Sequence, residues 1–186
     1  MSEYKYKSPS GETVEIHHDS DVERPFENDN YFKIVVLHRR YTDPSKGECG
    51  SAPEEVAQWE KENAKDWHIL PLFMLDHSNT TYRAGKTNPF GNGDIARFDS
   101  GRVGIVAQRK DIDGIITSEE DFKKSAKNNL ETYTAWANGE TFGYKIKDEN
   151  DQEDDSCWGY YGLDDVLSAA ADYLGVKPED LVLTND

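Results

Sequence analysis

The chain is predicted to fold as a single α+β domain, with a largely antiparallel sheet and about three helices. Three observations lead there. Its 186 residues suffice for one core but not comfortably for two. Short β-branched and aromatic runs, several of them alternating, mark strands, and three longer stretches carry helix start and stop signals. The order in which these elements follow one another fits a sheet of mainly antiparallel strands.

Thr13 to His17 alternates apolar and polar residues and reads as a half-buried strand, followed by an acidic loop from His18 to Asn30. Tyr31 to His38 (YFKIVVLH) reads as a central strand, ended by the polar residues from Arg39 to Gly50. Ser51, Pro53 and Glu54 announce a helix running to about Lys65, with Ser51 and Glu54 as its capping box. Trp67 to Asp76 (WHILPLFMLD) is a second buried strand, in which Pro71 implies an edge position or a bulge. Asn88 to Asp94 is turn chemistry, and Arg102 to Gln108 is a third core strand. Thr117 and Glu120 suggest a capping box for the most secure helix, in which Phe122, Ala126, Leu130, Tyr133 and Ala137 recur until Gly139. Phe142 to Ile146 and Cys157 to Tyr161 alternate, so two strands flank the acidic run from Asp148 to Asp155 as a hairpin tip. A last helix spans about Asp164 to Leu174 and stops at Gly175.

Hydrophobic residues make up only 35% of the chain, but 11% are aromatic, and each ring buries a large area, so the expected core is thin yet sufficient. Neither an apolar leader nor a run of roughly 20 apolar residues is found, so no signal peptide and no membrane span are expected. Cys49 and Cys157 stand far apart without zinc spacing, which fits reduced thiols in a cytoplasm. The net charge of −16 is concentrated at the ends: residues 1 to 30 hold 8 acids against 3 bases, residues 140 to 186 hold 13 against 3, and the middle is nearly balanced. Such fields repel nucleic acid and membrane surfaces and attract basic partners.

Two constellations invite function. Asp148, Glu149, Asp151, Glu153, Asp154 and Asp155 fall within eight residues. Glu153 and Gly159 stand where a calcium loop needs glycine and glutamate, so the run is read as a protruding anionic tip for a basic groove rather than as a metal site. The second set is His38, Arg39, Arg40, Asp76, His77, Asp99 and Cys157, residue types of a nucleophile, base and acid apparatus or of an anion site, most of them at the predicted ends of core strands. Spacing cannot show that they converge. Cys157, followed by Trp158 on a predicted strand, also reads as a packed core thiol. No cofactor or metal is expected.

The blocks Asp29 to Tyr41 ending in HRRY, LPLFMLDHS from Leu70, DSGRVG from Asp99, WANGETFGY from Trp136 and DSCWGYYG from Asp155 resemble an uncharacterised protein family of bacteriophages and related mobile elements. The similarity covers roughly Asn28 to Gly162 and departs from the pattern at Phe98, where the family has tryptophan. It implies no established activity. By analogy with small acidic phage proteins, it directs the reading toward a non-catalytic inhibitor of a host nucleic-acid-binding defence enzyme, of anti-restriction or anti-CRISPR type, acting in the host cytoplasm, possible charge mimicry of nucleic acid included. The alternatives are a small-ligand binder or enzyme built on the strand-end residues, and a structural or assembly protein of a phage particle.

Overall fold

The computed structural model describes residues 3–38, 40, 43–45, 47–91 and 93–184, without the side chains of residues 95 and 96. Its strands are β1 (Tyr4–Lys7), β2 (Thr13–His18), β3 (Phe32–Val36), β4 (Trp67–His77), β5 (Asn79–Ala84), β6 (Ser100–Arg109), β7 (Asp111–Ile112), β8 (Ile115–Ile116), β9 (Thr141–Lys147), β10 (Glu153–Tyr161) and β11 (Val182–Leu183). Its helices are α1 (Pro53–Asn63), α2 (Asp94–Asp99), α3 (Glu119–Ala137) and α4 (Leu163–Leu174), with a 3-10 turn at Pro178–Asp180. The fold is α+β, three helices are substantial, and the strands pair antiparallel. They form two principal sheets, and the chain divides into two compact units, residues 1–23 with 135–186 and residues 24–134.

The first unit is built on the five-stranded sheet β10-β9-β2-β1-β11. Alternation along β2 turns Val14 and Ile16 toward one face, where they join Phe142, Tyr144 and Ile146 of β9 and meet Val166, Ala170 and Ala171 of α4. Val14, Ile16 and Ile146 are fully buried, each contributing roughly 1.5–3 kcal/mol. Gly175 ends α4 in the left-handed conformation, as its position after the last apolar residue predicts. Lys7 lies opposite Val182, so strands from the two ends of the chain are neighbours. That pairing and the longer one between β2 and β9 bring the acidic N-terminal and C-terminal segments into one body.

The second unit holds the four-stranded sheet β3-β6-β4-β5 and the small β7-β8 hairpin. β3 is an edge strand rather than the expected central one. It is buried throughout because the loop after it covers its open edge: the Ser45 hydroxyl donates to the Ile34 carbonyl at 3.1 Å, and Asp43 accepts hydrogen bonds from the Ser45, Gly47 and Val36 backbone. Gly104 of β6 is required by a close approach, since a β-carbon there would lie 1.8 Å from the Val35 carbonyl oxygen. Pro71 lies in an interior strand, with a register shift just after it between Leu72 and Phe73. Its carbonyl accepts from Gly85, on the side where β5 has ended, so its missing N–H deprives no partner. Phe122, Ala126, Leu130 and Tyr133 of α3 are buried at the expected spacing.

Both expected capping boxes are displaced. At α1 the N-cap is Ala52, and Glu55 rather than Glu54 reaches back to the Ser51 N–H at 2.7 Å. At α3 the pair is Ser118 and Asp121, each accepting the other's backbone N–H at 3.1 Å, while the Thr117 hydroxyl donates to the Arg109 carbonyl.

Candidate functional site

The second unit brings five of the seven strand-end candidates to one region. His38 and Arg40 follow β3, Asp76 and His77 close β4, and Asp99 ends α2 just before β6. Ser78 makes the tight β4-β5 turn at φ 65°, with His77 opposite Asn79. Two charge pairs result. Arg40 Nη2 donates to Asp76 Oδ2 at 3.1 Å, and the Arg40 backbone N–H reaches His38 Nδ1 at 3.4 Å. His77 Nδ1 lies 2.8 Å from Asp99 Oδ2. Asp76 and His77 are consecutive strand residues, so their side chains leave on opposite faces and the pairs do not merge into one cluster.

An imidazole held at Nδ1 by a carboxylate, with Nε2 turned outward, is the orienting half of a general-base arrangement. Among the described residues no hydroxyl or thiol donates to His77 Nε2, so the nucleophilic half is not supplied. Both pairs are exposed: Arg40 is 66% and His77 52% accessible, and such pairs interact by well under 1 kcal/mol. Arg39 lies outside the described residues. Cys157 belongs to the other unit, and the reading of it as a packed core thiol is corrected. It sits on β10, the exposed edge strand of its sheet, whereas Cys49 is the buried thiol, its pKa pushed up to about 12 by that burial. Among the described residues no group of three or more histidine, cysteine, aspartate or glutamate side chains could hold a metal ion.

The first unit gathers the charge. Its segments contain 19 acidic residues against 5 basic ones, a formal −14, and the remaining 111 residues carry 18 against 16, a formal −2. All five bases are engaged within the unit. Lys5 lies 3.9 Å from Glu15, Lys145 meets Glu153 at 2.8 Å, Lys147 meets Glu15 at 3.1 Å and Asp151 at 3.5 Å, Lys177 lies 3.8 Å from Glu179, and Lys7 donates to the Gly11 carbonyl.

The acidic run is indeed at a hairpin end, but the turn spans residues 148 to 152, and Glu153 to Asp155 already belong to β10. Most of its carboxylates have internal tasks. Asp148 accepts the Asn150 and Gln152 backbone N–H groups at 2.8 and 2.9 Å, and these bonds hold its pKa below the usual range. Glu153 is held low chiefly by its bond from Lys145. Asp154 accepts from the Tyr173 hydroxyl at 3.2 Å, and Asp155 from the Tyr144 hydroxyl at 2.8 Å. On the hairpin and α4 the exposed acids with no such side-chain partner are Glu149 at the tip and Asp164, Asp165 and Asp172, while Glu3, Asp21, Glu23 and Glu140 are exposed elsewhere in the unit. The three helical ones lie outside the acidic run that the sequence singles out. Their signal was available, because polar positions on an amphipathic helix face away from its Val166-Ala170 stripe.

In comparisons with family models, curated proteins and solved structures nothing matches this chain, so its function is argued from its own residues. No helix among the described residues is long and apolar enough to cross a membrane.

Proposed function

We propose that this is a phage-encoded acidic interaction protein whose first unit docks on the basic surface of a host nucleic-acid-binding defence enzyme and inhibits it, in the manner of anti-restriction or anti-CRISPR proteins. The observation that carries this reading is the partition of charge, −14 in a unit of 75 residues beside −2 in the other. A field of that sign and density attracts surfaces evolved to hold phosphates, and carboxylates satisfy the same lysine and arginine donors. The exposed carboxylates on α4 and at the hairpin tip are the ones offered to a partner, since those of β10 already serve their own unit.

The test is affinity capture from bacterial lysate with the immobilised protein, eluted by a salt gradient and repeated with competing duplex DNA. A nuclease or other nucleic-acid-binding enzyme released by salt and displaced by DNA supports the proposal. Capture that is indifferent to both salt and DNA contradicts it.

A second reading, a small-ligand binder or enzyme, is favoured by one observation, the His77-Asp99 pair with its outward ring nitrogen. Replacement of His77 by alanine abolishes function under that reading and leaves partner capture intact under the first.

A further inference from the structure

The second unit contains a cleft of about 290 Å³ whose lining differs in character from the rest of this acidic chain. Trp67 and Phe122 provide apolar floor, His68 a wall, and Lys86, Lys110 and Glu119 the charged rim. Two ammonium groups against one carboxylate make this a locally positive site in a protein of net charge −16.

Its polar groups are positioned. Lys110 Nζ donates to the Ala64 and Lys65 carbonyls at the C-terminal end of α1, at 2.8 and 3.1 Å. Those bonds fix the ammonium and leave one of its three protons for another acceptor. His68 Nε2 lies 2.9 Å from the Thr117 carbonyl, which can only accept, so Nε2 carries a proton. The His68 ring is thereby held parallel to Phe122, with centroids 5.5 Å apart and planes 13° apart. The Arg109 guanidinium adds positive charge nearby, 5.1 Å over the Trp67 ring.

Lys86 is the adjustable member. It lies 3.5 Å from Glu119, but Glu119 is also bound by Lys123 at 3.0 Å, and Lys123 is the larger cause of its lowered pKa. Lys86 can therefore turn to a ligand without leaving Glu119 unpaired.

We propose that this cleft binds a small organic anion with a flat apolar body, of the aromatic carboxylate class, with the ring system against the aromatic floor and the carboxylate between Lys86 and Lys110. Its size is at the small end of ligand sites, which limits the body to about two fused rings.

The test is titration of the full chain with 2-naphthoate and with two shape-matched controls, neutral 2-naphthalenemethanol and cationic 2-naphthylmethylamine, followed by calorimetry and by the Trp67 indole resonance. The expected result is saturable naphthoate binding about tenfold tighter than the alcohol, with the amine weaker than both. Lys86→Met and Lys110→Met each weaken naphthoate several-fold and leave the alcohol unchanged, while Lys127→Met on the surface of α3 has no effect. Lys110 also caps α1, so Lys86→Met, which removes only an exposed side chain, is the decisive variant. Equal binding of the three probes, absence of naphthoate binding, or an unchanged affinity in Lys86→Met overturns the proposal.

Discussion

Replacing Tyr144 by phenylalanine removes one hydroxyl and tests whether the acidic strand β10 serves its own fold. The Tyr144 ring is 4% exposed, and its hydroxyl donates to Asp155 Oδ2 at 2.8 Å. Burial, followed by this bond, raises its pKa well above the ordinary value of 10. A hydrogen bond to an ionised acceptor is worth about 1.5–3 kcal/mol, and without the hydroxyl the half-buried Asp155 carboxylate faces an apolar ring edge. The expected loss is about 2 kcal/mol for Tyr144→Phe and about 1 kcal/mol for Asp155→Asn, which keeps a weaker, neutral acceptor. Because both changes remove the same bond, the double variant should fall short of the sum by about 1 kcal/mol. Urea unfolding followed by circular dichroism measures all three, with the slope unchanged and the midpoint displaced. Single variants within about 0.5 kcal/mol of wild type would refute the reasoning and return Asp155 to the set of carboxylates free for a partner.

Three further outcomes follow from the geometry. Gly104→Ala should cost on the order of 3 kcal/mol or prevent folding, because the clash is with the Val35 backbone and no rotamer relieves it, whereas Gly101→Ala, with nothing within 4 Å, should be within about 0.5 kcal/mol of neutral by thermal unfolding. Stability should fall as pH rises from about 9 toward 12: Cys49 and Tyr133, both pushed up to about 12 by burial, keep their protons in the folded chain while the unfolded chain loses them. Below that window the raised values contribute their full stabilisation, so Tyr133→Phe should flatten the alkaline limb of a denaturation series. Arg40→Ala should change stability by less than about 1 kcal/mol, since its partner Asp76 and the arginine are both accessible, and a larger loss would mean that the pair is structural.

What the sequence revealed and what it hid divide along physical lines. Segments with strong periodicity were legible, as with the Phe122 to Tyr133 stripe of α3 and the Val14, Ile16 alternation of β2. β5 escaped because its buried positions are Thr80 and Tyr82, and the turn into it is a single residue, Ser78, of a type that seldom adopts positive φ. The β7-β8 hairpin was carried by Asp113 and Gly114, both at positive φ, and its Ile115 and Ile116 are exposed, so no burial pattern announced it. β1 and β11 exist through their pairing with distant strands, a non-local stabilisation that no local window contains. The displaced capping boxes show that a motif gives the helix start to within a residue while the dihedral angles choose which side chain reaches back. At the candidate sites, residue types placed His77, Asp76 and Asp99 in one set, but only the fold shows that His77 pairs with Asp99 and that Asp76 pairs with Arg40 instead. The charge at the two chain ends was visible at once. That they form one body depends on β2 pairing with β9 and β1 with β11.

The central claim is that the exposed carboxylates of the first unit hold a basic partner. Its most direct measurement is the salt dependence of affinity for the captured partner, by calorimetry, with wild type and with the variant Glu149→Gln, Asp164→Asn, Asp165→Asn, Asp172→Asn. These four changes reduce the unit's formal negative charge from −14 to −10 and break no side-chain hydrogen bond or ion pair among the described residues. Asp164 and Asp165 lie in the first turn of α4, where the helix dipole makes each worth about 0.5 kcal/mol, so the variant is checked for folding first. The account predicts a steep loss of wild-type affinity with salt, and in the folded variant an affinity at least about tenfold weaker with a shallower slope. A variant that binds as tightly as wild type with the same salt slope would contradict it.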